Sequence, residues 1–197
     1  MEITTANGKT DVRLVDTTAN PAPLGLLAFG MTTIMLNLHN AGLFTLGSMI
    51  FAMGIFYGGL AQIIAGIMEW KKNNTFGTLA FISYGFFWIS LVGLIVMPKF
   101  GISDVFGKMD FLAFLGIWGL FSFVMWIITF RLSKALCIVF GLLVLLFVLL
   151  IVGNALGSVA ILTIAGVEGI ICGLSAMYTG LGQVMNEVYK EKVINLG

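Results

Sequence analysis

Side chains able to do chemistry are sparse in this sequence, and none of them form a catalytic pattern. His39 is the only histidine and has no carboxylate near it in sequence. Cys137 and Cys172 lie in apolar stretches without ligand-like spacing, and no Ser-His-Asp set, phosphate loop or metal-spaced cluster occurs. An enzyme is therefore not expected, nor a cofactor or a bound metal, and the cysteines read as small buried side chains. What remains suits weaker chemistry, the handling of an anion or a proton. Asn37, His39, Asn40 and Asn154 offer amide and imidazole donors that could strip water from an entering carboxylate, with turn capping as the plainer alternative. His39 could also titrate near neutral pH, its unperturbed pKa being about 6.5. Glu168 sits in Ile164-Ala165-Gly166-Val167-Glu168-Gly169-Ile170-Ile171, where an ionised carboxylate within a membrane span costs on the order of 3 kcal/mol. It should face water, a partner group or another protomer, which makes it a candidate coupling residue. Glu69 and Glu187, near lysines, read as interfacial charges.

The elements that must position these groups follow from composition. The chain has 197 residues with only ten Lys and Arg and nine Asp and Glu, 59% of it is apolar, and its mean hydropathy is +1.08. A soluble domain carries about 25% charged residues, so the class is an all-α integral membrane protein. Net charge is +1, which gives no basic excess for nucleic acid and leaves lipid, further copies of the chain and small solutes as partners. Residues 1–19 form a polar tail that lacks the apolar core and cleavage site of a secretory signal. No charge occurs between Asp16 and Glu69, room for two spans of about 20 residues each. The pattern predicts helices near 22–41, 44–69, 76–97, 111–130, 135–153 and 158–186, within a transmembrane domain over 20–187, and a C-terminal tail over 188–197.

A cytoplasmic N-terminus puts Lys9, Arg13, Lys71, Lys72, Arg131, Lys134, Lys190 and Lys192 inside and leaves Lys99 and Lys108 outside. Eight against two favours both termini in the cytoplasm, on the positive-inside rule. Odd helices begin near 22, 76 and 135, and even ones carry Gly54-Ile55, Gly116-Ile117 and Gly169-Ile170 at comparable places. The spacing suggests three pseudo-repeated helical hairpins around a pore in each protomer. Glycine pairs such as Gly54/Gly58, Gly153/Gly157 and Gly169/Gly173 supply the small-residue seams that close packing in lipid requires, some of them between protomers in an oligomer.

Asn20-Pro21-Ala22-Pro23-Leu24-Gly25-Leu26 marks the entry to the apolar chain. Asn20 is a favoured N-cap, and both prolines fall in the first turn, where a missing N–H has no intrahelical partner to lose. The partial positive end of that helix, about half an elementary charge, could hold a carboxylate near Asn20. Further along, Phe29, Thr32, Thr33, Leu36 and Asn40 share one broad face, a mixture suited to a pore wall, although hydroxyls that bond back to their own helix would read the same way. Phe29, Tyr84 and Leu143 each lie seven or eight residues into an odd helix, hence at one depth of roughly 12 Å.

The run from Asn20 to Leu26, continued by Phe29-Gly30-Met31-Thr32-Thr33 and Asn37-Leu38-His39-Asn40, resembles the signature of the acetate uptake transporter family, which includes the bacterial succinate–acetate permeases. The likeness extends through Tyr84-Gly85, Met97-Pro98-Lys99, Gly153-Asn154 and Asn186-Glu187. It implies six helices, a homohexamer in the plasma membrane, and passage of acetate and similar monocarboxylates with H+ as the co-transported ion, leaving open whether succinate is accepted. It also implies that Phe29, Tyr84 and Leu143 form an apolar constriction, which can bar hydrated ions by dewetting. Ala176 then matches a position near the narrow region where side-chain size matters. Related transporters carry an apolar residue in place of Glu168, a departure that puts simple transfer of a coupling mechanism in doubt. A passive channel for a neutral solute such as urea or ammonia remains the rival reading, and a non-transporting membrane scaffold a third.

Overall fold

The computed structural model describes residues 2–6, 9–13 and 18–197, with side chains from residue 18 onward. In the leader, strands β1 (Glu2–Ala6) and β2 (Lys9–Arg13) pair antiparallel, with Glu2 opposite Arg13. The signal for a hairpin was the Asn7-Gly8 pair between the two segments, the dipeptide favoured in two-residue hairpin connections, and reading residues 1–19 only as a polar tail passed over it. Asp16 lies outside the described residues. Six helices follow: α1 (Ala22–Asn40), α2 (Ser48–Lys71), α3 (Thr75–Val96), α4 (Lys108–Thr129), α5 (Lys134–Leu156) and α6 (Val159–Tyr189). Each is long and apolar enough to cross a membrane, α3 running on into a 3-10 turn over Met97–Phe100. The chain is a multi-pass membrane protein, and six crossings leave both its ends on one face.

Polar side chains at the helix ends explain several starts. Asn74 Oδ1 accepts the Gly77 N–H at 3.0 Å and starts α3. Ser133 and Ser158 do the same for α5 and α6 through Leu136 and Ile161. The Asp110 carboxylate accepts the Gly107 N–H at 2.8 Å at the start of α4. At the head of α1 Pro21 already has helical φ and ψ, so it behaves as the first helical residue and the cap falls to Asn20 before it. Asn20 Oδ1 accepts the Ala22 N–H at 3.1 Å, the hydrogen bond expected of a capping side chain. Gly101 and Gly157 end their helices at φ +68° and +63°, a backbone conformation that costs a residue without Cβ little. The second helix starts four residues later than the hydropathy pattern suggests, since Gly42 turns the chain at φ +83° and Gly47 precedes the first helical residue. Beyond α6, Asn186 ties the tail back to the bundle through both hydrogen bonds to Ile194, each 2.8 Å.

In the bundle α2 packs on α1 and α3, and α5 on α4 and α6; α3 and α4 meet through aromatic side chains, and α6 returns to lie along α1, closing a ring. The odd helices carry Phe29, Tyr84 and Leu143 into one buried apolar cluster on the axis. The α1–α6 seam is the tightest. A Cβ added at Gly30 or Gly173 would lie 2.6 Å from the other's carbonyl oxygen. Gly54 packs against Val92, Gly58 against Thr32, Gly153 against Leu162 and Gly169 against Asn37, so these glycines serve contacts inside one protomer. The glycines of the repeat occupy unlike surroundings, for nothing lies within 4 Å of a Cβ added at Gly116 on α4. The hairpin repeat therefore lives in the arrangement of helices and not in equivalent glycine contacts. In the middle of α2, Met53–Ala61 winds as a π-helix, with Gly54, Gly58 and Gly59 buried against α1 and α3. Such widened turns often mark functional places.

Candidate pathway through the bundle

Three cavities follow one another along the axis through shared walls. The inner one, so called only because it lies nearest Asn20 and the start of α1, has about 60 Å³ and is lined by Ala22, Gln62, Asn74, Gln183 and the apolar side chains of Phe76, Ala80 and Phe140. The middle one, of about 30 Å³, is lined by Thr33, Asn37, Phe87, Trp88, Leu146 and Phe147 among others. The outer one, of about 740 Å³, holds His39, Asn40, Lys99 and Asn154 on its wall. Phe29, Tyr84 and Leu143 belong to the walls of both the inner and the middle cavity. Leu36, Phe87 and Leu150 are likewise common to the middle and outer ones.

The three side chains between the inner and middle cavities are all buried, and the Phe29 and Tyr84 rings lie 5.9 Å apart at 50°. Tyr84 is fixed from several directions. Its hydroxyl shares a 2.9 Å hydrogen bond with Ser122 Oγ, and Ser122 Oγ in turn donates to the Trp118 carbonyl at 2.8 Å. With that assignment the Tyr84 hydroxyl is the donor in the pair. Phe121 and Phe140 pack on its ring at 5.5 and 6.1 Å. The middle cavity has room for a water or two. Anything larger would have to displace side chains at this level.

The polar groups expected along the path divide. Thr33 and Asn37 line the middle cavity, and Thr33 Oγ1 has no hydrogen-bond partner. Asn37 is held by its own helix, Nδ2 donating to the Thr33 carbonyl at 2.9 Å while Oδ1 accepts from Asn40 Nδ2 at 3.0 Å. Thr32 points elsewhere. It is fully buried against α2, its Oγ1 3.5 Å from the Met53 carbonyl and its methyl against Gly58. The polar face of α1 is thus Phe29, Thr33, Leu36 and Asn37, one position round from the expected one. His39 meets the Phe44 carbonyl through Nδ1 at 2.9 Å, and Asn154 Nδ2 donates to the Leu150 carbonyl at 2.8 Å, both at the outer cavity. Asn20 donates to Gln183 Oε1 at 3.0 Å, at the opposite end. Ala176 is fully buried in the same apolar cluster as Phe29, Tyr84 and Leu143 and lines none of the three cavities.

Two carboxylates are buried. Glu69 is buried, not solvated: Asn74 donates to Oε2 at 2.7 Å while Oε1 has no partner, because the Asn73-Asn74 turn folds over it. Within the protomer Glu168 is 8% exposed and neither carboxyl oxygen has a hydrogen bond, so of its three expected neighbours only another protomer is left. Sequence reading missed Gln62, Trp88 and Ser122. Gln62 is 1% exposed with Oε1 unpartnered at the inner cavity, and Trp88 Nε1 is buried and unpartnered beside the middle one. An amide inside the long charge-free run of α2 was the available signal for Gln62. Nothing marked Trp88 or Ser122, whose importance depends on another helix. Among the described residues no cluster of His, Cys, Asp and Glu could hold a metal.

Comparison with known proteins gives one consistent answer. The GPR1/FUN34/yaaH family matches residues 4–194. The succinate-acetate/proton symporter SatP of Escherichia coli K12 is 51% identical over 91% of this chain and 95% of its own. The ammonia transport outward protein 2 of Saccharomyces cerevisiae is 39% identical over 81% of this chain and 59% of its own. The solved structure of the bacterial acetate channel SatP superposes with a TM-score of 0.90 at 51% identity, covering 92% of this chain and all of that one.

Proposed function

From the premise that this chain belongs to the GPR1/FUN34/yaaH family, we propose that it passes acetate and similar short monocarboxylates across the plasma membrane, linked to a proton, as a homohexamer with both termini in the cytoplasm. It is a transporter or channel and not an enzyme. An acid with a pKa near 4.3 is neutral in about one molecule in 500 at pH 7. The neutral form crosses lipid unaided and the anion does not, so a protein path is needed for the anion. The observation that carries this reading is that Phe29, Tyr84 and Leu143 are common to the walls of two successive cavities. An apolar ring between wetter spaces excludes hydrated ions and admits a small acid with one apolar end.

In this reading Lys99, His39 and the amides of Asn40 and Asn154 gather the anion into the outer cavity by charge and hydrogen bonding. Thr33 Oγ1 receives it in the middle cavity once the surrounding rings part. The Gln62 amide and the N-terminal end of α1, beside Asn20, take it on the inner side. Ala176, packed behind the ring, leaves the gate its width. The test is flux of labelled acetate into liposomes holding the purified chain, with and without an imposed pH gradient. Competition by propionate and not by urea is the expected result. Flux of urea or ammonia without acetate flux would move the assignment to a neutral-solute channel, the reading that the name of the yeast relative favours.

A further inference from the structure

The outer cavity is larger and more apolar than passage of acetate requires. Its volume of about 740 Å³ falls among those of pockets that hold drug-sized, largely apolar ligands, roughly 300–1,000 Å³. Acetate has one methyl group to bury. The lining also has an order that repeats on the three odd helices. On α1 Leu36 is followed one turn outward by Asn40, and on α5 Leu150 by Asn154. On α3 Leu91 and Leu94 precede Lys99, which lies in the 3-10 turn. Leu36 and Leu150 belong to the wall of the middle cavity as well, so the apolar side chains lie toward the constriction and the polar ones toward the mouth. From Leu91 to Lys99 eight residues span about 12 Å. The space is an apolar sleeve with a polar collar.

That collar suits a carboxylate. The Lys99 ammonium lies 5.5 Å from the centroid of the Phe51 ring and meets no carboxylate among the described residues. Asn40 and Asn154 each spend one amide N–H, on Asn37 and on the Leu150 carbonyl, and keep a second to offer. The two carboxylates of the α3–α4 connection, Asp104 and Asp110, are not on the cavity wall, and Asp110 is engaged with the Gly107 N–H. One cation with two amide donors at the mouth, above an apolar sleeve, is the complement of a single-chain amphiphilic anion.

Resting on the transport reading above, we infer that the outer cavity is a binding site for medium-chain fatty acid anions, with the carboxylate in the collar and the alkyl chain running past Leu94 and Leu91 toward Leu150. Held by its tail, such an anion fills the entry that acetate needs and blocks it. Short acids lack the tail and are released to the constriction. Affinity rises with chain length as each CH2 leaves water, by up to about fourfold per carbon, equivalent to about 0.8 kcal/mol, until the sleeve is full. The same path thereby passes short acids and is shut by longer ones of the same charge.

The test is inhibition of labelled acetate flux in strongly buffered liposomes holding the full chain, with butyrate, hexanoate or octanoate on both sides of the membrane. Inhibition should strengthen at least tenfold from butyrate to octanoate. Octanamide, the same tail without the charge, should inhibit at least tenfold more weakly than octanoate. Inhibition that does not grow with chain length, or that octanamide reproduces through the bilayer, overturns the inference and leaves acetate passage standing. Leu94→Asn makes the sleeve polar at a residue outside the proposed acetate contacts. It should weaken octanoate inhibition about fivefold with acetate flux kept, and equal inhibition in variant and native chain overturns the site. Absence of any acetate flux in the native chain would instead sink the transport reading. In that case, or should Leu94→Asn fail to assemble, equilibrium dialysis of labelled octanoate against the chain in lipid nanodiscs decides, with empty discs subtracted. Saturable binding that weakens about tenfold in Lys99→Gln is expected. No saturable binding, as when lipid chains already fill the sleeve, or binding indifferent to Lys99, overturns the proposal.

Discussion

The α1–α6 seam and the α3–α4 joint are built from opposite materials. Along the seam two backbones touch, Gly30 and Gly173 each occupying the space of the other's missing side chain. Across the joint only side chains meet, with Phe87 against Phe114 at 5.6 Å and Trp118 at 5.2 Å, and Tyr84 against Phe121 and Ser122. In lipid no apolar driving force holds helices together, so stiffness comes from close backbone approach and hydrogen bonds. Rings, by contrast, can repack without moving a helix. The difference gives the bundle a stiff side at α1 and α6 and a side that can repack at α3 and α4. Because Tyr84 and Phe87 both line the middle cavity, the proposed passage would open through the wall made of rings.

The sharpest way to break this comparison is to spoil the seam. Gly173→Val puts atoms within 2.6 Å of the Gly30 carbonyl and of Ile34, and backbone cannot yield as a flexible side chain does. We expect a loss of about 3 kcal/mol, read as a Tm lower by roughly 5–10 °C. A normal melting curve would mean that the seam is looser than its contacts imply.

Next in size is the proposed gate. Phe29→Ala removes one ring from the wall shared by the inner and middle cavities and leaves the seam intact. Acetate flux should rise up to about tenfold, equivalent to 1.4 kcal/mol off the barrier. Exclusion of bulkier acids such as benzoate should fail with it. Unchanged size selection in a folded variant would remove the ring from the mechanism.

Smaller still is the hydrogen bond at the joint. Tyr84→Phe and Ser122→Ala each break the 2.9 Å contact, for which about 0.6 kcal/mol is typical between membrane helices. Stability should fall only slightly in each, and the double variant should cost little more than either single one. Full additivity would show that the two hydroxyls do not act as a pair.

How far the sequence could carry these conclusions depends on the range of the interaction concerned. Pro21 and Pro23, Ser133 and Ser158 are local signals, and the helix starts they announce need nothing from elsewhere. The depth of Phe29, Tyr84 and Leu143 was also legible, because rise per residue is nearly the same in every straight helix. Rotation about the axis was not. Thr32 and Asn37 exchanged places on the face of α1 because the π-helical turn of α2, with Gly58 beneath the Thr32 methyl, takes that side for packing. Glu69 looked like a surface charge until Asn74, five residues on, folded over it. Ser122 and Trp88 gain meaning only from another helix, and one chain read by itself carries no trace of that pairing.

The smallest expected effect is the most instructive control. Gly116 on α4 belongs to the same apparent repeat as Gly54 and Gly169, yet a Cβ there meets nothing within 4 Å. Gly116→Ala should therefore change stability by less than about 0.5 kcal/mol, as surface substitutions do, with a slight gain from helix propensity. Set beside Gly173→Val, it separates a glycine kept for close approach from one that merely sits in a helix. The control has a second use, because α4 is the least buried of the six helices and turns Ile117, Leu120 and Val124 outward. A bulkier Gly116→Leu that spares the melting of the isolated protomer but lowers the oligomer mass in detergent would place another copy of the chain against α4. If the oligomer is indifferent to it, lipid covers that face, and the contact between copies must be sought on α2 or α6.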